Sequence, residues 1–199
     1  MQLEGELINN RDNSSKDQEK NNHPSIYVAS LSDYNNGFLH GRWIRADQNV
    51  LGISSAIAEM LKESPEYPAA EEYAIHDFEY FGPIRLSEYE DIETVAAVGQ
   101  MIGKYGEAFA IWANMVGLEE AAKENAEEDF TNSYRGLYES EESYVREYWR
   151  EIGLEREIES IIPEHLLGYI NIDYEMLSKD IDVIFANSQQ SEGVHAFWV

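Results

Sequence analysis

The sequence contains no cysteine. That absence excludes disulfide bridges, thiolate zinc sites and thiol nucleophiles. Long apolar runs are missing too, since none approaches the roughly 18 residues of a membrane span. The N-terminal stretch MQLEGELINN lacks the basic start and the apolar core of a signal peptide. We therefore expect a soluble, cytoplasmic protein.

Positive charge is also scarce. The 199 residues include 14 Lys and Arg against 39 Asp and Glu, which gives a formal net charge of −25. Binding to a nucleic-acid backbone or to an anionic membrane needs clustered Lys and Arg, so we expect neither as a partner. The hydrophobic content of 43% and the aromatic content of 12% are nevertheless enough for packed cores, which excludes a disordered acidic protein.

Composition and periodicity divide the chain into a tail and three units. Residues 1–24 end in NNRDNSSKDQEKNNHP, a run without apolar residues, and we interpret them as a disordered tail. Residues 25–86 have the pattern of a small α+β domain, with strands at SIYVAS, GRWIRA and EEYAIHDFEYFGPI. The helix of this domain is NVLGISSAIAEMLKE, and its apolar face holds Ile53, Ile57, Met60 and Leu61.

Residues 87–118 have the pattern of a helical middle domain. Ser87 is the predicted N-cap of its first helix, with the Glu90 carboxylate reaching back in a capping box. Two short helices follow, DIETVAAVGQMIGKYG and EAFAIWANMVG. Gly106 and Gly117 mark their C-terminal ends, because glycine is favoured just after a helix.

Residues 119–199 have the pattern of an α+β C-terminal domain, and they hold 20 acidic but only 6 basic residues. DFTNSYRGLY is predicted as a strand or turn, ESEESYVREYWREIG as a helix, and DVIFAN and GVHAFWV as closing strands. Pro163 opens one or two further helices. The predicted fold class is therefore α+β: a small antiparallel sheet plus helix, a helical middle domain and an α+β C-terminal domain.

The helix of residues 138–153 carries apolar side chains at i, i+1, i+4, i+5 and i+8, a stripe that is typical of a face packed on a core. Its members are Tyr144, Val145, Tyr148, Trp149 and Ile152. The stripe turns the charged residues of the helix towards solvent. Among them, Glu142 and Arg146 stand at the spacing of a favourable ion pair.

Other charges on this helix repel each other. Glu147 and Glu151 are four residues apart, as are Glu151 and Glu155. Like charges at that spacing destabilise a helix by roughly 0.2–0.5 kcal/mol per pair. The stability of the helix therefore does not explain why this face carries so many acids.

Known catalytic and metal-binding motifs are absent. The glycine-rich piece GQMIGKYG has neither dinucleotide nor P-loop spacing. DYNNG, which begins at Asp33, does not follow the spacing of a calcium loop, and we interpret it as a turn. The histidines have no metal-ligand spacing and are interpreted as structural or surface residues: His23, His40, His76, His165 and His195. We predict no cofactor, no metal site and no catalytic residue.

A surface of carboxylates has the charge of a nucleic acid. B-DNA carries about one negative charge per 1.7 Å, whereas a helix with a carboxylate every four residues offers one per about 6 Å. Several acidic elements side by side are therefore needed, and a charge of −25 at DNA density covers roughly 43 Å of duplex. Such a protein is attracted to basic clefts that bind DNA, in a fast and salt-sensitive association.

Several motifs resemble the ArdA antirestriction family. SIYVASLSDYNNGFLHGRW holds its Tyr-Val strand, its Tyr-Asn-x-Gly turn and its Gly-Arg-Trp, here Gly41-Arg42-Trp43. AFAIWANMVG and SYRGLYESEESY are similar to its central segments, and PEHLLGYINIDYEMLSKDI to its late segment. The matching positions of the late segment are Pro163, Glu164, Leu166, Tyr169, Asp173, Glu175, Lys179 and Asp180. The resemblance runs from about residue 25 to the C-terminus.

This resemblance implies a function. Members of the family are DNA mimics carried by mobile genetic elements, conjugative plasmids and transposons. They occupy the DNA-binding groove of type I restriction–modification enzymes and are not enzymes themselves. The implied fold is an elongated chain of three small domains that forms a homodimer through the C-terminal one. We expect Gly41-Arg42-Trp43 to determine the fold, with Trp43 in the core.

The candidate site residues lie in the C-terminal domain. The residues expected in the dimer contact or in the late motif segment are Leu166, Tyr169 and Tyr174. The acids expected to bind the partner are Glu139, Glu141, Glu142, Glu147, Glu151, Glu155, Glu157, Glu159, Asp173, Glu175 and Asp180.

Three alternatives stay open. The chain is an acidic module for another basic DNA-binding protein, or a carboxylate-dependent hydrolase, or a protein adapted to high salt. The hydrolase needs one or two irreplaceable acids, but with 39 acidic residues some pair satisfies any spacing rule. Adaptation to salt predicts acidity spread over all domains, whereas residues 119–199 carry 14 of the 25 net negative charges.

Overall fold

A computed structural model describes residues 22–199 of the chain. It confirms the α+β class and forms two compact units, of which the first ends at Gly106 and the second is Glu107–Val199. The division into three domains stays a prediction. Among the described residues, every helix is too short or too polar to span a lipid bilayer.

The first unit, residues 22–106, is a three-stranded antiparallel sheet with helices, and its strand order is β2-β1-β3. Its elements in chain order are β1 (Ser25–Ser30), α1 (Leu31–Asn35), β2 (Gly41–Arg45), α2 (Val50–Lys62), β3 (Tyr73–Glu79) and α3 (Ile92–Tyr105). The predicted strands and the long helix are confirmed, although the third strand ends at Glu79 and not at the predicted Ile84. Of the turn predicted at DYNNG, only the last two residues form a turn, because the first three belong to α1, a short helix that was not predicted.

The core of the first unit contains the inward-facing side chains of β1 and the apolar face of α2. Ile26 and Val28 of the central strand are fully buried because alternate side chains of a strand point to the same face. Ile53, Ile57 and Met60 of α2 are buried as well, as their spacing predicts, whereas the fourth member of the predicted face, Leu61, is only half-buried.

Gly41 and Trp43 of β2 differ in how closely the rest of the unit surrounds them. A Cβ at Gly41 would stand 2.5 Å from the Val28 carbonyl oxygen and 2.8 Å from the Tyr27 ring, so this position accepts only glycine. Trp43 is 44% exposed and packs against the Tyr27 ring at a centroid distance of 5.5 Å. The expectation that Trp43 lies in the core is wrong, because Trp43 points to the face of the sheet opposite to its buried neighbour Ile44.

The predicted capping box at Ser87 does not start a helix. Helix α3 begins at Ile92, and its N-cap residue is Asp91. Ser87 and Glu90 instead close a turn, in which the Ser87 amide donates to the Glu90 carboxylate at 3.4 Å. Only this half of the predicted box forms, because the Glu90 amide donates to the Ser87 backbone carbonyl and not to its hydroxyl.

The predicted tail, residues 1–24, lies mostly outside the described residues. His23 and Pro24 are described, and both join the fold. Pro24 is buried and its carbonyl accepts from the Ala46 amide at 2.7 Å, while His23 Nδ1 lies 2.8 Å from Asp47 Oδ2. The folded part therefore includes His23 and Pro24, which the prediction assigned to the tail.

The second unit, residues 107–199, also contains a three-stranded antiparallel sheet, in the order β4-β6-β5. Its helices are α4 (Glu107–Val116), α5 (Leu118–Ala121), α6 (Ala126–Ser133), α7 (Glu141–Glu151), α8 (Leu154–Ile161), α9 (Glu164–Leu167) and α10 (Tyr174–Leu177). A 3-10 helix follows at Ser178–Asp180, and the strands are β4 (Tyr134–Tyr138), β5 (Val183–Asn187) and β6 (Val194–Trp198).

Both faces of the central strand β6 are covered. His195 and Phe197 face a cluster that includes Tyr134, with ring centroids 5.3 Å apart between Tyr134 and Phe197. Ala196 faces the opposite way and packs in a core with Tyr144. Because the strand is covered on both sides, Val194 to Phe197 form a continuous buried run without the usual alternation.

The closing strands and the helix at residues 141–151 are confirmed in this unit. Three helices were missed: α5, α6 and α8. The DFTNS part of DFTNSYRGLY belongs to α6, and only YRGLY is a strand. After Pro163 the chain forms three short helices instead of the expected one or two, each of three or four residues.

Candidate functional site

Helix α7 supplies the first acids of the candidate site. Ser140 and Ser143 form a reciprocal capping box, in which each side-chain oxygen accepts from the other residue's amide at 3.2 and 3.1 Å. Glu141 and Glu142 occupy the first turn, where the positive end of the helix dipole favours carboxylates. The N-terminus of the helix thus holds two acids without loss of stability.

The apolar stripe of α7 packs on its own unit only in part. Tyr144 and Val145 are buried, and Tyr148 and Trp149 are partly buried against the same core. Ile152, the last predicted member, is 57% exposed. It is the C-cap residue of the helix and does not belong to the core on which the rest of the stripe packs.

Gly153 changes the predicted pattern of repulsion. This residue has a φ of 93°, which glycine adopts easily, and it separates α7 from α8. Glu151 and Glu155 therefore lie on different helices, and the expectation that they repel as an i, i+4 pair is wrong. Glu147 and Glu151 remain such a pair on the exposed face of α7.

Helix α8 presents a second acidic face. Leu154 and Ile158 are half-buried, whereas Glu155, Glu157 and Glu159 are exposed. The sequence analysis identified these acids but not the helix that carries them. The signal was available, because Leu154 and Ile158 stand at helical spacing.

Asp173 is the N-cap of the short helix α10 in the late segment. The Asp173 carboxylate accepts from the Met176 amide at 2.9 Å and so starts α10. Glu175, in the first turn of α10, is exposed, and Asp180 is exposed at the end of the 3-10 helix. Asp173 therefore has a structural role besides any contact with a partner.

Acids from two distant stretches of sequence meet at one cavity. The cavity has a volume of about 480 Å³, and its lining includes Glu139, Glu141, Glu142 and Glu175. Val145 and Tyr174 contribute apolar surface to the same cavity. No spacing rule in the sequence predicts that Glu175 joins the acids of α7.

All eleven candidate acids are exposed. Within residues 22–199, only Glu142 among them forms an ion pair, to Arg146 at 2.7 Å. Their field reaches a neighbouring group: burial raises the pKa of Tyr138, and the charges of Glu147 and Glu151 raise it further. The surface is thus negative and largely uncompensated by nearby cations.

Six more exposed acids precede these in the second unit, and the sequence analysis did not single them out. Lys123 pairs with one of them, Glu120. The set comprises Glu119, Glu120, Glu124, Glu127, Glu128 and Asp129. Three belong to the first turn of α6, a helix that the sequence analysis missed.

The residues expected in the dimer contact or motif segment divide into two groups. Leu166 and Tyr169 are exposed, and Tyr169 is 86% accessible. Tyr174 is 9% accessible and packs in the core beside Tyr144 and Val145, so it serves the motif segment of its own unit. Exposed large apolar residues accompany Leu166 and Tyr169: Ile152, Ile161, Ile170 and Met176.

A buried polar cluster lies at the start of α4. The Glu107 carboxylate accepts from the Ser188 hydroxyl at 2.7 Å and from the Gln189 amide at 2.5 Å, and His195 Nε2 lies 3.4 Å away. His195 Nδ1 is 3.0 Å from the Tyr134 hydroxyl. Burial alone would raise the pKa of Glu107, but these hydrogen bonds outweigh it and hold the pKa below its ordinary value.

This cluster lacks the arrangement of a catalytic triad. In a triad the histidine accepts the proton of the nucleophilic hydroxyl, whereas here the Ser188 hydroxyl donates to the carboxylate. Ser188 Oγ also accepts from the Ser191 amide at 3.0 Å, which fixes the β5–β6 turn. Glu107 therefore holds this turn to the start of α4.

The described residues contain no group of three or more His, Asp or Glu side chains that could hold a metal ion. His23 contacts Asp47, His40 Nε2 lies 2.7 Å from the Met60 carbonyl, and the His76 ring packs on Tyr34. These contacts give those three histidines structural roles.

Comparison with known proteins identifies the family of the chain. The family model described as antirestriction protein (ArdA) matches residues 26–195, which span both compact units. No curated protein matches the chain. Because the match covers most of the sequence, the chain belongs to the ArdA family of antirestriction proteins.

Proposed function

We propose that this antirestriction protein is a DNA mimic, which occupies the DNA-binding groove of type I restriction–modification enzymes. Occupation of the groove blocks restriction of incoming DNA and also its modification. The protein acts by binding and performs no chemistry. Its acids stand in for the phosphates that the basic groove normally contacts.

The observation that carries this proposal is the state of the eleven candidate acids. They are all exposed, and only Glu142 has an ion-pair partner within residues 22–199. An acid that is paired within its own chain has less charge to offer a basic groove. The second unit as a whole holds 21 acidic and 6 basic residues, so its surface stays strongly negative.

The cavity at α7 suits a cationic side chain of such a partner. Its lining combines Glu139, Glu141 and Glu142 with Glu175 from the late segment. Arg and Lys side chains combine an apolar stem with a charged head, and Val145 and Tyr174 offer apolar surface for the stem. We assign this cavity to a cationic side chain that contacts a DNA phosphate in the partner's own complex.

The exposed apolar residues of the late segment support a homodimer. Residues 152–176 expose six large apolar side chains, and a second copy of the chain can cover such surface: Ile152, Ile161, Leu166, Tyr169, Ile170 and Met176. Sedimentation of the wild type and of Tyr169→Glu tests this contact. A wild-type monomer at micromolar concentration contradicts it.

The central experiment is competition for DNA. A type I methyltransferase is incubated with its labelled DNA target and increasing amounts of this protein, across a salt series. We expect the protein to displace the DNA and to lose potency steeply as salt rises, since salt screens exposed charges. Restriction that still falls while DNA binding is untouched contradicts the proposal and favours another basic partner.

A further inference from the structure

Arg146 is a cation at the centre of the acidic site. Its Nη2 lies 2.7 Å from Glu142 Oε1, one turn earlier on α7. Its guanidinium carbon lies 4.3 Å from the centre of the Tyr174 ring, within the range of a cation–π contact. Arg146 therefore connects α7 to the first residue of α10, 28 positions later in the sequence.

The ring that Arg146 covers determines where the next acid lies. Tyr174 is buried on its other side against Tyr144 and Val145. Asp173 caps the same short helix, and Glu175 follows directly after Tyr174. A helix of four residues has little stability of its own, so its position depends on such contacts.

The charge of Arg146 is positive, whereas the surface around it is negative. It is one of 6 cations against 21 acids in the second unit, and it neutralises part of the site. If only net charge mattered, its removal would strengthen binding to a basic groove. If it sets the geometry of the acids, its removal weakens binding.

We propose that Arg146 is a positioning residue: it fixes α10 against α7, so that Glu175 faces the cavity together with Glu141 and Glu142. The expected effect of Arg146 on inhibition rests on the proposed function. The expected effect of Arg146 on the position of α10 does not depend on that function. An experiment can therefore contradict the proposed function without contradicting the positioning role, and the reverse.

The test compares Arg146→Gln with Arg150→Gln. Arg150 lies on the same helix and is exposed, and within residues 22–199 its side chain makes no hydrogen bond or ion pair. Both variants lose one positive charge. Arg146→Gln should raise the concentration for half-displacement of DNA by about threefold, the factor that a cation–π contact at an exposed site is worth, whereas Arg150→Gln leaves it unchanged or lowers it.

Two further variants separate positioning from charge. Tyr174→Leu keeps an apolar side chain in the core and leaves the charge unchanged, and it should weaken inhibition as Arg146→Gln does. The double variant should lose little more than either single one, because both remove the same contact. Arg146→Lys, which keeps the charge and the reach to Glu142, should restore part of the inhibition.

The readout that does not depend on inhibition is hydrogen exchange of residues 173–180. Exchange should be faster in Arg146→Gln and Tyr174→Leu and unchanged in Arg150→Gln. Equal exchange and equal inhibition in the Arg146 and Arg150 variants overturn the proposal. Neither the wild type nor any variant displaces DNA if the DNA-mimic function is wrong. If exchange is then still faster in Arg146→Gln than in Arg150→Gln, the positioning role holds and the DNA-mimic function fails.

Discussion

The two compact units use their carboxylates in different ways. In the first unit, Asp47 pairs with Arg45 at 2.7 Å and Glu63 pairs with Arg42 at 2.7 Å. Asp33 is fully buried and accepts from the Ser64 hydroxyl at 2.5 Å. In the second unit, the candidate acids are exposed and only one of them is paired within residues 22–199. Some carboxylates of the first unit thus hold its fold together, although others there are exposed, such as Glu71 and Glu79, whereas the candidate acids of the second unit all present their charge to solvent.

The numbers of cations explain part of this difference. The first unit has 13 acidic and 5 basic residues in its described part, and the second has 21 and 6. With more than three acids for each cation, pairing is not available to most acids of the second unit. Glu107 is an exception, because it is buried and its hydrogen bonds come from Ser188, Gln189 and His195.

The largest expected effect is on inhibition. Replacing Glu139, Glu141, Glu142 and Glu175 together by Gln should weaken the displacement of DNA by about ten-fold or more, because each exposed charge contributes roughly 0.2–1 kcal/mol. Each single replacement should have little effect. The measurement is the methyltransferase competition described above.

The matched control for that variant lies in the first unit. Glu71, Glu79, Glu88 and Glu93 are exposed, and their replacement by Gln changes the net charge by the same amount. A smaller loss in the control supports a localised contact surface. Equal losses would mean that net charge, and not the surface around the cavity, determines inhibition.

The next largest effect is on stability. Glu107→Gln should lower the free energy of unfolding by about 1–3 kcal/mol, because the amide nitrogen meets donors where the carboxylate accepted three contacts. Glu119→Gln, an exposed change in the same unit, should stay within about 0.5 kcal/mol. Urea unfolding measures both, and similar losses would contradict the structural role of Glu107.

The acids that hold the first unit should respond to pH. Burial alone would raise the pKa of Asp33, but hydrogen bonds from Ser30 and Ser64 outweigh it and hold the pKa below 3.8, its ordinary value. The folded pKa is thus depressed, so the stabilisation is complete above pH 3.8 and is lost as the pH falls further. The difference in unfolding free energy between wild type and Asp33→Asn should shrink below that pH. A difference that stays constant down to pH 2.5 would rule this out.

A smaller effect is expected at the start of the fold. A chain without residues 1–24 should be less stable than one without residues 1–21 by about 1 kcal/mol, because it lacks the hydrogen bond from Ala46 to Pro24. It also lacks the contact between His23 and Asp47. Hydrogen exchange of residues 41–47 compares the two truncations, and equal protection would contradict a stabilising role of His23 and Pro24.

The smallest effect has the opposite sign. Glu147→Gln together with Glu151→Gln should stabilise α7 by roughly 0.2–0.5 kcal/mol, because their repulsion is removed. The same variant should inhibit slightly less. Thermal unfolding checks the gain, for which Glu139→Gln with Glu157→Gln is the control, since neither of these acids has a like charge four residues away. Equal gains would contradict the repulsion between Glu147 and Glu151.

Much of the local structure was predictable from periodicity. The strands at Ser25–Ser30 and Val183–Asn187 and the helix at Val50–Lys62 follow from β-branched runs and helical spacing. The helix at Leu154–Ile161 was missed although its spacing is regular, because the many acids around it obscured the apolar positions. Trp43 was misjudged because the sequence does not say which face of β2 the core covers.

The sequence by itself determined the charge, the exposure of the α7 acids and the membership of the family, since these depend on composition, helical spacing and motif order. Only the tertiary structure brought Glu175 to the acids of α7, buried Glu107 beside His195 and placed Arg146 over Tyr174. Those contacts join residues 28 to 88 positions apart. Local patterns cannot specify them, because they arise from how strands and helices pack.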